Sequence, residues 1–299
     1  MKVLLLGKDG QVGWELQRAL APLGELVALG RQGAQGLCGD LGDMAGLRAT
    51  VRELQPDVIV NAAAYTAVDR AESEPELAEA INGLAPGVLA EEAAAQGALL
   101  IHYSTDYVFE GEGERPWQED DPAAPVNAYG MSKWHGEEAV RAANPFHLIL
   151  RTQWVYAARG RNFLSTMLRL AAERDSLQVV DDQFGAPTHA ELIADVTAHA
   201  MRAVQAQPSL VGTYHLAARG ITTWHGYARY AIGLARDLGW PIQVRDESIV
   251  AVDTSAFPTP ARRPHNSRLA LGRIEQAFGL SLPDWRGGVE RTIQELSDS

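Results

Sequence analysis

Residues 2–13 read KVLLLGKDGQVG, a short apolar run that leads directly into a glycine-rich turn. The run over residues 2–6 predicts a β-strand, and the apolar spacing over residues 11–23 predicts a helix. The glycines at this junction allow a pyrophosphate to approach the backbone, and the helix N-terminus supplies free N–H groups. The spacing is Gly-x-x-Gly-x-x-Gly rather than the commoner Gly-x-Gly-x-x-Gly. We therefore predict a dinucleotide site at Gly7, Gly10, Gln11, Val12 and Gly13.

The pattern of this first unit is repeated through the first half of the chain. Short apolar runs alternate with longer amphipathic ones, which is typical of a parallel sheet covered by helices on both faces. The predicted fold is therefore α/β, a doubly wound, Rossmann-like parallel sheet. Further strands are predicted at residues 26–29, 37–39, 58–60, 99–103 and 147–150, and further helices at 44–54, 75–96 and 128–142.

The second half of the chain has a different pattern of helices and loops. Helices predicted at 163–172, 190–203 and 224–238 are separated by loops rich in Pro, Thr, Arg and His. We predict a dinucleotide-binding domain over residues 1–161. Residues 162–299 are predicted to form mainly a smaller α/β substrate-binding domain, with some segments returning to the Rossmann sheet.

Composition excludes several classes of protein. The 299 residues contain 26 Lys plus Arg and 38 Asp plus Glu, a net charge of −12 that argues against nucleic acid as a partner. The one cysteine, Cys38, excludes an internal disulfide framework and a thiolate zinc site. No apolar run approaches the roughly 18 residues of a membrane span. We expect a cytoplasmic protein.

A second group of residues predicts proton chemistry. Tyr129 and Lys133 are four residues apart on a predicted helix and so share one face. A phenol with a pKa near ~10 is a poor acid or base at neutral pH, and a nearby ammonium can lower that pKa by Coulomb attraction. The strand that ends near Thr105 places hydroxyls at the carboxyl edge of the sheet, where ligands bind in open α/β folds.

The chain resembles the extended short-chain dehydrogenase/reductase superfamily. The superfamily motifs are the glycine-rich turn, the segments 61–64 and 104–109, and the Tyr129/Lys133 pair. The segments 13–16, 66–72, 151–156, 182–188 and 263–267 are similar to its nucleotide-sugar reductases.

The resemblance implies reduction of the 4-keto group of dTDP-4-dehydro-L-rhamnose. That reaction is the last step of dTDP-L-rhamnose biosynthesis, which supplies polysaccharides such as the O-antigen of lipopolysaccharide. The nucleoside rests on the resemblance alone.

The resemblance also implies roles for single residues. Tyr129 would donate the proton, Lys133 would lower the Tyr129 pKa and hold the nicotinamide ribose, and Thr105 would bind the carbonyl oxygen. Asp106 and Trp154 would contact the sugar. The remaining cofactor contacts would come from Asp40 and Leu41 near the adenine, and from Ala63, Ala64, Tyr65 and Thr66 near the middle of the cofactor.

Arginines extend the predicted site at both ends. Gly30 stands where NAD-binding folds carry an acidic residue, and Arg31 could pair with the 2′-phosphate of NADP. NADPH is therefore the predicted cofactor, with NADH also accepted. Arg262 and Arg263 lie between prolines that restrict their loop, and we expect at least one of them to bind the substrate pyrophosphate.

Other readings stay open at this point. Some members of the superfamily use Mg²⁺ at a subunit interface through glutamates, and Glu15 and Glu191 match such positions; a homodimer is a related expectation. A dehydratase is disfavoured because Tyr107 stands where those enzymes carry a Glu. A nucleotide-sugar epimerase and a non-catalytic regulatory subunit are the remaining alternatives.

Overall fold

The structure, a computed structural model, describes residues 1–297. Its centre is a six-stranded sheet in the order β10-β5-β4-β3-β1-β2, with every neighbouring pair parallel. The strands are β1 Lys2–Leu6, β2 Glu25–Leu29, β3 Val58–Asn61, β4 Leu99–Thr105, β5 His147–Thr152, β6 Val155–Tyr156, β7 Leu177–Val180, β8 Phe184–Gly185, β9 Thr188–His189, β10 Gly212–His215, β11 Thr222–Thr223 and β12 Ile249–Val252. The helices are α1 Gln11–Leu20, α2 Met44–Leu54, α3 Val68–Ala71, α4 Pro75–Glu79, α5 Ala85–Gln96, α6 Ala128–Ala143, α7 Phe163–Glu173, α8 Ala190–Ala206, α9 Trp224–Asp237, α10 Gly272–Phe278 and α11 Trp285–Ser297.

The central strands are apolar on both sides because helices cover both faces of the sheet. Alternate residues of β1 enter different cores: Val3 and Leu5 pack on the α8 side, whereas Leu4 and Leu6 pack against α2 and α5. All four side chains are fully buried. Burial of each contributes about 1.5–3 kcal/mol, which explains the unbroken apolar run. The α/β, doubly wound prediction is thus confirmed.

Two predicted elements differ from the structure. Residues 37–39 form no strand of the sheet; Leu37 makes only an isolated bridge to Ala34. The predicted helix 75–96 is one helical rod, but Ala80–Leu84 is a π-helical turn between α4 and α5. Such a turn inserts a residue into the helix and is found frequently at functional sites.

Parts of the second half lie against the first. Strand β10 pairs with β5 at the edge of the central sheet, and helix α8 packs on helix α1. A separate apolar cluster forms around Tyr227 and Trp285, between helices α7, α9 and α11. None of the helices within residues 1–297 combines the length and apolar character needed to cross a bilayer.

Candidate active site

The glycine-rich turn joins β1 to α1 at the carboxyl edge of the sheet. Gly7 has φ +85°, and a Cβ there would lie 2.6 Å from the backbone nitrogen of Ala63. A Cβ on Gly13 would lie 1.9 Å from the carbonyl oxygen of Gly7. Helix α1 begins without a side-chain cap and has no acidic residue in its first turn, so its N–H groups are available to an anion. The closely packed glycines and the free N–H groups of α1 together fit a pyrophosphate.

Two buried interactions position helix α6. Asn127 caps the helix by accepting from the Gly130 N–H at 2.8 Å. Arg151, from β5, donates to both carboxylate oxygens of Glu137 at 2.8 and 2.7 Å, and both side chains are buried. Removing one partner from a buried pair leaves an uncompensated charge, so the pair holds α6 firmly against the sheet.

Tyr129 and Lys133 face the end of β4 from this helix. Lys133 is 2% exposed, and its Nζ donates to the Tyr103 carbonyl at 2.6 Å and lies 3.4 Å from His102 Nε2. Burial lowers the pKa of Lys133 to about 8, although Glu137 opposes that shift.

The pKa of Tyr129 is raised rather than lowered. Burial is the main cause, Asp106 and Tyr107 add to it, and a hydrogen bond with Thr105 opposes it. The lowering expected from Lys133 is not seen, because the ammonium is turned to the Tyr103 carbonyl. Tyr129 is thus protonated at neutral pH and has a proton to donate, but its raised pKa makes it a weaker acid than a free phenol.

Asp106 adds a buried carboxyl group beside these hydroxyls. It is 2% exposed, and burial raises its pKa to about 6, against hydrogen bonds from Ser267 and Thr105. The Thr105 hydroxyl donates to Asp106 Oδ1 at 3.0 Å. Ser267 comes from the far end of the chain, so a C-terminal segment lies beside this carboxyl at the sheet edge.

The two predicted substrate arginines are separated by the structure. Arg263 donates to Asp69 Oδ2 at 2.6 Å and to the Tyr107 hydroxyl at 3.3 Å. The Tyr107 ring meets the Tyr129 ring edge-on at 5.5 Å, so Arg263 lies one ring away from Tyr129. Arg262 is 60% exposed and pairs with Glu112.

Trp154 lies just beyond the end of β5, the neighbour of β4. Its backbone has φ +45°, which is unusual for a bulky residue. Its ring stacks on Trp224 at 3.7 Å, and a Cβ on Gly185 would lie 2.8 Å from the ring. The strained backbone and the aromatic neighbours hold the indole in one place beyond the end of β5.

The segment after β3 lies against the glycine-rich turn, as the contact of Gly7 with Ala63 shows. Sequence reasoning missed the residue that holds it. Asn82, in the π-helical turn, accepts from the Tyr65 N–H at 2.8 Å and donates to the Tyr65 carbonyl at 2.9 Å and to the Ser132 hydroxyl at 3.1 Å. Asn82 thereby links the Ala64–Thr66 segment to α6. Helical periodicity carries no signal for such a role.

The remaining predicted residues occupy varied surroundings. Arg31 is 79% exposed and lies 3.3 Å from Asp40, whereas Leu41 is buried in the core beneath. Gln11 accepts from Asn162 at 2.9 Å, and Val12 packs on the core.

The two candidate metal ligands, Glu15 and Glu191, pair with arginines in this structure. Both interact with Arg18, and Glu191 also pairs with Arg291 at 2.8 Å. Burial, with Glu191 and Glu295 nearby, raises the pKa of Glu15 despite Arg18. Across residues 1–297, no three His, Cys, Asp or Glu side chains are grouped to hold an ion.

The fold and the site define an oxidoreductase of the short-chain dehydrogenase/reductase class. Three features meet at one edge of the parallel sheet: the glycine-rich turn before the uncapped helix α1, the helix that carries Tyr129 and Lys133, and Thr105. Residues 1–298 match the family described as RmlD substrate binding domain. The chain is 54% identical over 296 residues to dTDP-4-dehydrorhamnose reductase of Escherichia coli (strain K12), covering 99% of this chain and 98% of that protein. It belongs to this family of nucleotide-sugar reductases.

Two solved structures are similar over nearly the whole chain. A dTDP-4-dehydrorhamnose reductase from Clostridium acetobutylicum has a TM-score of 0.90 and 34% identity, covering 99% of this chain and all of that one. The enzyme from Bacillus anthracis, in complex with NADP, has a TM-score of 0.87 and 33% identity, covering 98% and 99%. That homologue thus carries the kind of nicotinamide cofactor that the sequence predicts for this chain.

Proposed function

We propose that the protein reduces the 4-keto group of dTDP-4-dehydro-L-rhamnose to give dTDP-L-rhamnose, with NADPH preferred and NADH accepted. The observation that carries this is that Tyr129 and Lys133 of α6 lie beside Thr105 and the end of β4, at the sheet edge that also holds the glycine-rich turn. The relatives named for this activity support the substrate.

The chain's own residues supply the proton and the positioning. When bound, the reduced nicotinamide supplies the hydride that attacks the carbonyl carbon. Thr105 turns its hydroxyl from Asp106 to the carbonyl oxygen and stabilises the charge that builds there. Tyr129 gives its proton to that oxygen as the C–O double bond becomes single, and solvent later returns a proton to the tyrosine. Lys133 holds the nicotinamide ribose.

Substrate binding is assigned to groups around this centre. Arg263 is ready for the pyrophosphate, because its partner Asp69 is a half-exposed carboxylate that an anion can replace. Trp154 offers an aromatic surface to the sugar, and Asp106 accepts hydrogen bonds from sugar hydroxyls. Arg262 points toward Glu112 and is not part of this assignment.

Four further expectations belong to this proposal. The domain division at residue 161 and a homodimer are proposals that limited proteolysis and light scattering can test. The cytoplasm remains the expected location, because a chain with a single cysteine cannot form an internal disulfide and suits a reducing compartment. Magnesium held through Glu15 and Glu191 at a subunit interface stays a proposal, and the activity measured with and without a chelator tests it.

The decisive experiment mixes the protein with NADPH and dTDP-4-dehydro-L-rhamnose and follows the absorbance of the reduced nicotinamide. We expect stoichiometric oxidation of NADPH. A sugar product formed without net loss of NADPH would indicate an epimerase. Binding of NADPH without its oxidation would indicate a regulatory subunit.

A further inference from the structure

In dinucleotide-binding folds, the position at the end of the second strand reads the 2′ position of the adenosine ribose. A carboxylate there binds the 2′-hydroxyl of NAD, whereas an arginine nearby accepts the 2′-phosphate of NADP. Here the second strand ends at Leu29, and Gly30, which follows, has no side chain with which to do either.

The space that a side chain of Gly30 would fill is already occupied. A Cβ on Gly30 would lie 2.0 Å from Oδ2 of Asp9, a residue of the glycine-rich turn. The turn is held beside β2 because the N–H groups of Gly7 and Lys8 both donate to the Leu29 carbonyl, at 2.9 and 3.2 Å. On another side, a Cβ on Gly39 would lie 2.2 Å from the Gly30 carbonyl oxygen. The carboxylate therefore arrives from the turn rather than from the strand.

We propose that Asp9 is a specificity-determining residue that reads the 2′ position of the adenosine ribose. Its carboxylate is exposed and stands where this class of fold needs one. A surface recess of about 380 Å³ is lined by residues 31–38, which directly follow Gly30 in the chain, and it has room for the adenosine end of a cofactor. The inference rests on the cofactor assignment of the proposed function and deepens it.

Asp9 and Arg31 act on the same ribose with opposite preference. The carboxylate accepts a hydrogen bond from a 2′-hydroxyl and repels a 2′-phosphate, which carries close to two negative charges. Arg31 attracts that phosphate, but it is 79% exposed and must leave Asp40 to do so. The opposition keeps any preference for NADPH small and lets NADH bind.

The test is the equilibrium binding of NADPH and of NADH, without sugar substrate, to the full-length protein and its Asp9→Asn variant. Glu53→Gln is the matched control, because Glu53 is an exposed carboxylate on α2 and the change in net charge is the same. For Asp9→Asn we expect the Kd of NADPH to fall and that of NADH to rise, each roughly threefold to fivefold, as for a screened charge interaction. Glu53→Gln should leave the ratio of the two constants unchanged.

A ratio in Asp9→Asn that equals the ratio in the control would overturn the inference. Equal weakening of both cofactors would overturn it too, because that result means Asp9 only supports the turn. Failure of the parent protein to bind either cofactor would instead contradict the proposed function.

Discussion

At the reaction end of the sheet edge, Lys133 is 2% exposed and its pKa is shifted to about 8, whereas at the adenosine end Arg31 is 79% exposed and only touches Asp40. The first end is built from buried groups that are held by neighbours on β4, β5 and α6. The second is built from exposed charges on loops. Buried groups interact strongly because solvent does not screen them, while exposed ones are screened. Changes at the reaction end should therefore have large effects, and changes at the adenosine end small ones.

The largest effect is expected at Tyr129. Tyr129→Phe removes the proton donor and keeps the ring that packs against Tyr107, so the fold should survive. We expect kcat to fall by about 10²–10⁴, measured by oxidation of NADPH with the keto sugar. Cofactor affinity should change little. Turnover close to that of the parent would show that the proton comes from elsewhere and would remove the distinction between the two ends.

Arg263 and Arg262 allow a less exposed and a more exposed arginine to be compared within one loop. Arg263→Ala should raise the substrate KM roughly 10- to 100-fold, the equivalent of 1.5–3 kcal/mol for a charge-assisted hydrogen bond. Arg262→Ala is the matched control, and we expect a change of less than about twofold because its side chain is exposed and paired with Glu112. Steady-state kinetics with varied sugar distinguishes them. Equal effects of the two substitutions would mean that position in the fold does not decide which arginine binds the pyrophosphate.

Arg31 gives the expected effect at the exposed end. A screened arginine–phosphate contact of about 1–2 kcal/mol contributes a preference for NADPH of roughly five- to thirtyfold, which Asp9 opposes in the parent protein. Arg31→Ala should remove most of that preference by raising the KM for NADPH, with the KM for NADH nearly unchanged. Added salt should narrow the preference in the parent protein. A preference that survives both the substitution and high salt would place the determinant elsewhere.

The smallest effect comes from titrating Lys133 rather than replacing it, because titration removes only the charge and leaves the buried side chain in place. The pKa of this group is about 8 because burial disfavours the ammonium, so the charged form predominates below pH 8 and is lost above it. The charged fraction at pH 9 is about one tenth, so the Kd of NADH should rise roughly five- to tenfold between pH 7 and pH 9. NADH is the suitable ligand because it has no 2′-phosphate to titrate. Lys133→Met should bind more weakly at pH 7 and show no such dependence; a pH-independent Kd in the parent would contradict the role of the ammonium.

Much of the fold was predictable because its signals are local. Strand β1, helix α2 and strand β3 follow from apolar runs and helical spacing that hold over a few residues. The π-helical turn at Ala80–Leu84 was not predictable, because the backbone hydrogen bonds of one turn change there without a change in apolar pattern. Residues 37–39 resembled a strand but have no partner strand, and pairing depends on distant parts of the chain.

The sequence alone determined the α/β fold, the glycine-rich turn, and the choice of Tyr129, Lys133 and Thr105 as candidates for catalysis. Each of these depends on residue type and short spacing, which the local geometry of helices and turns converts directly into structure. Only the tertiary structure decided that Arg263 and not Arg262 borders the site, and that burial raises the pKa of Tyr129. It also decided that the carboxylate of Asp9 fills the space at Gly30. Burial and contacts between distant segments arise only when the chain packs, and no spacing within one segment encodes them.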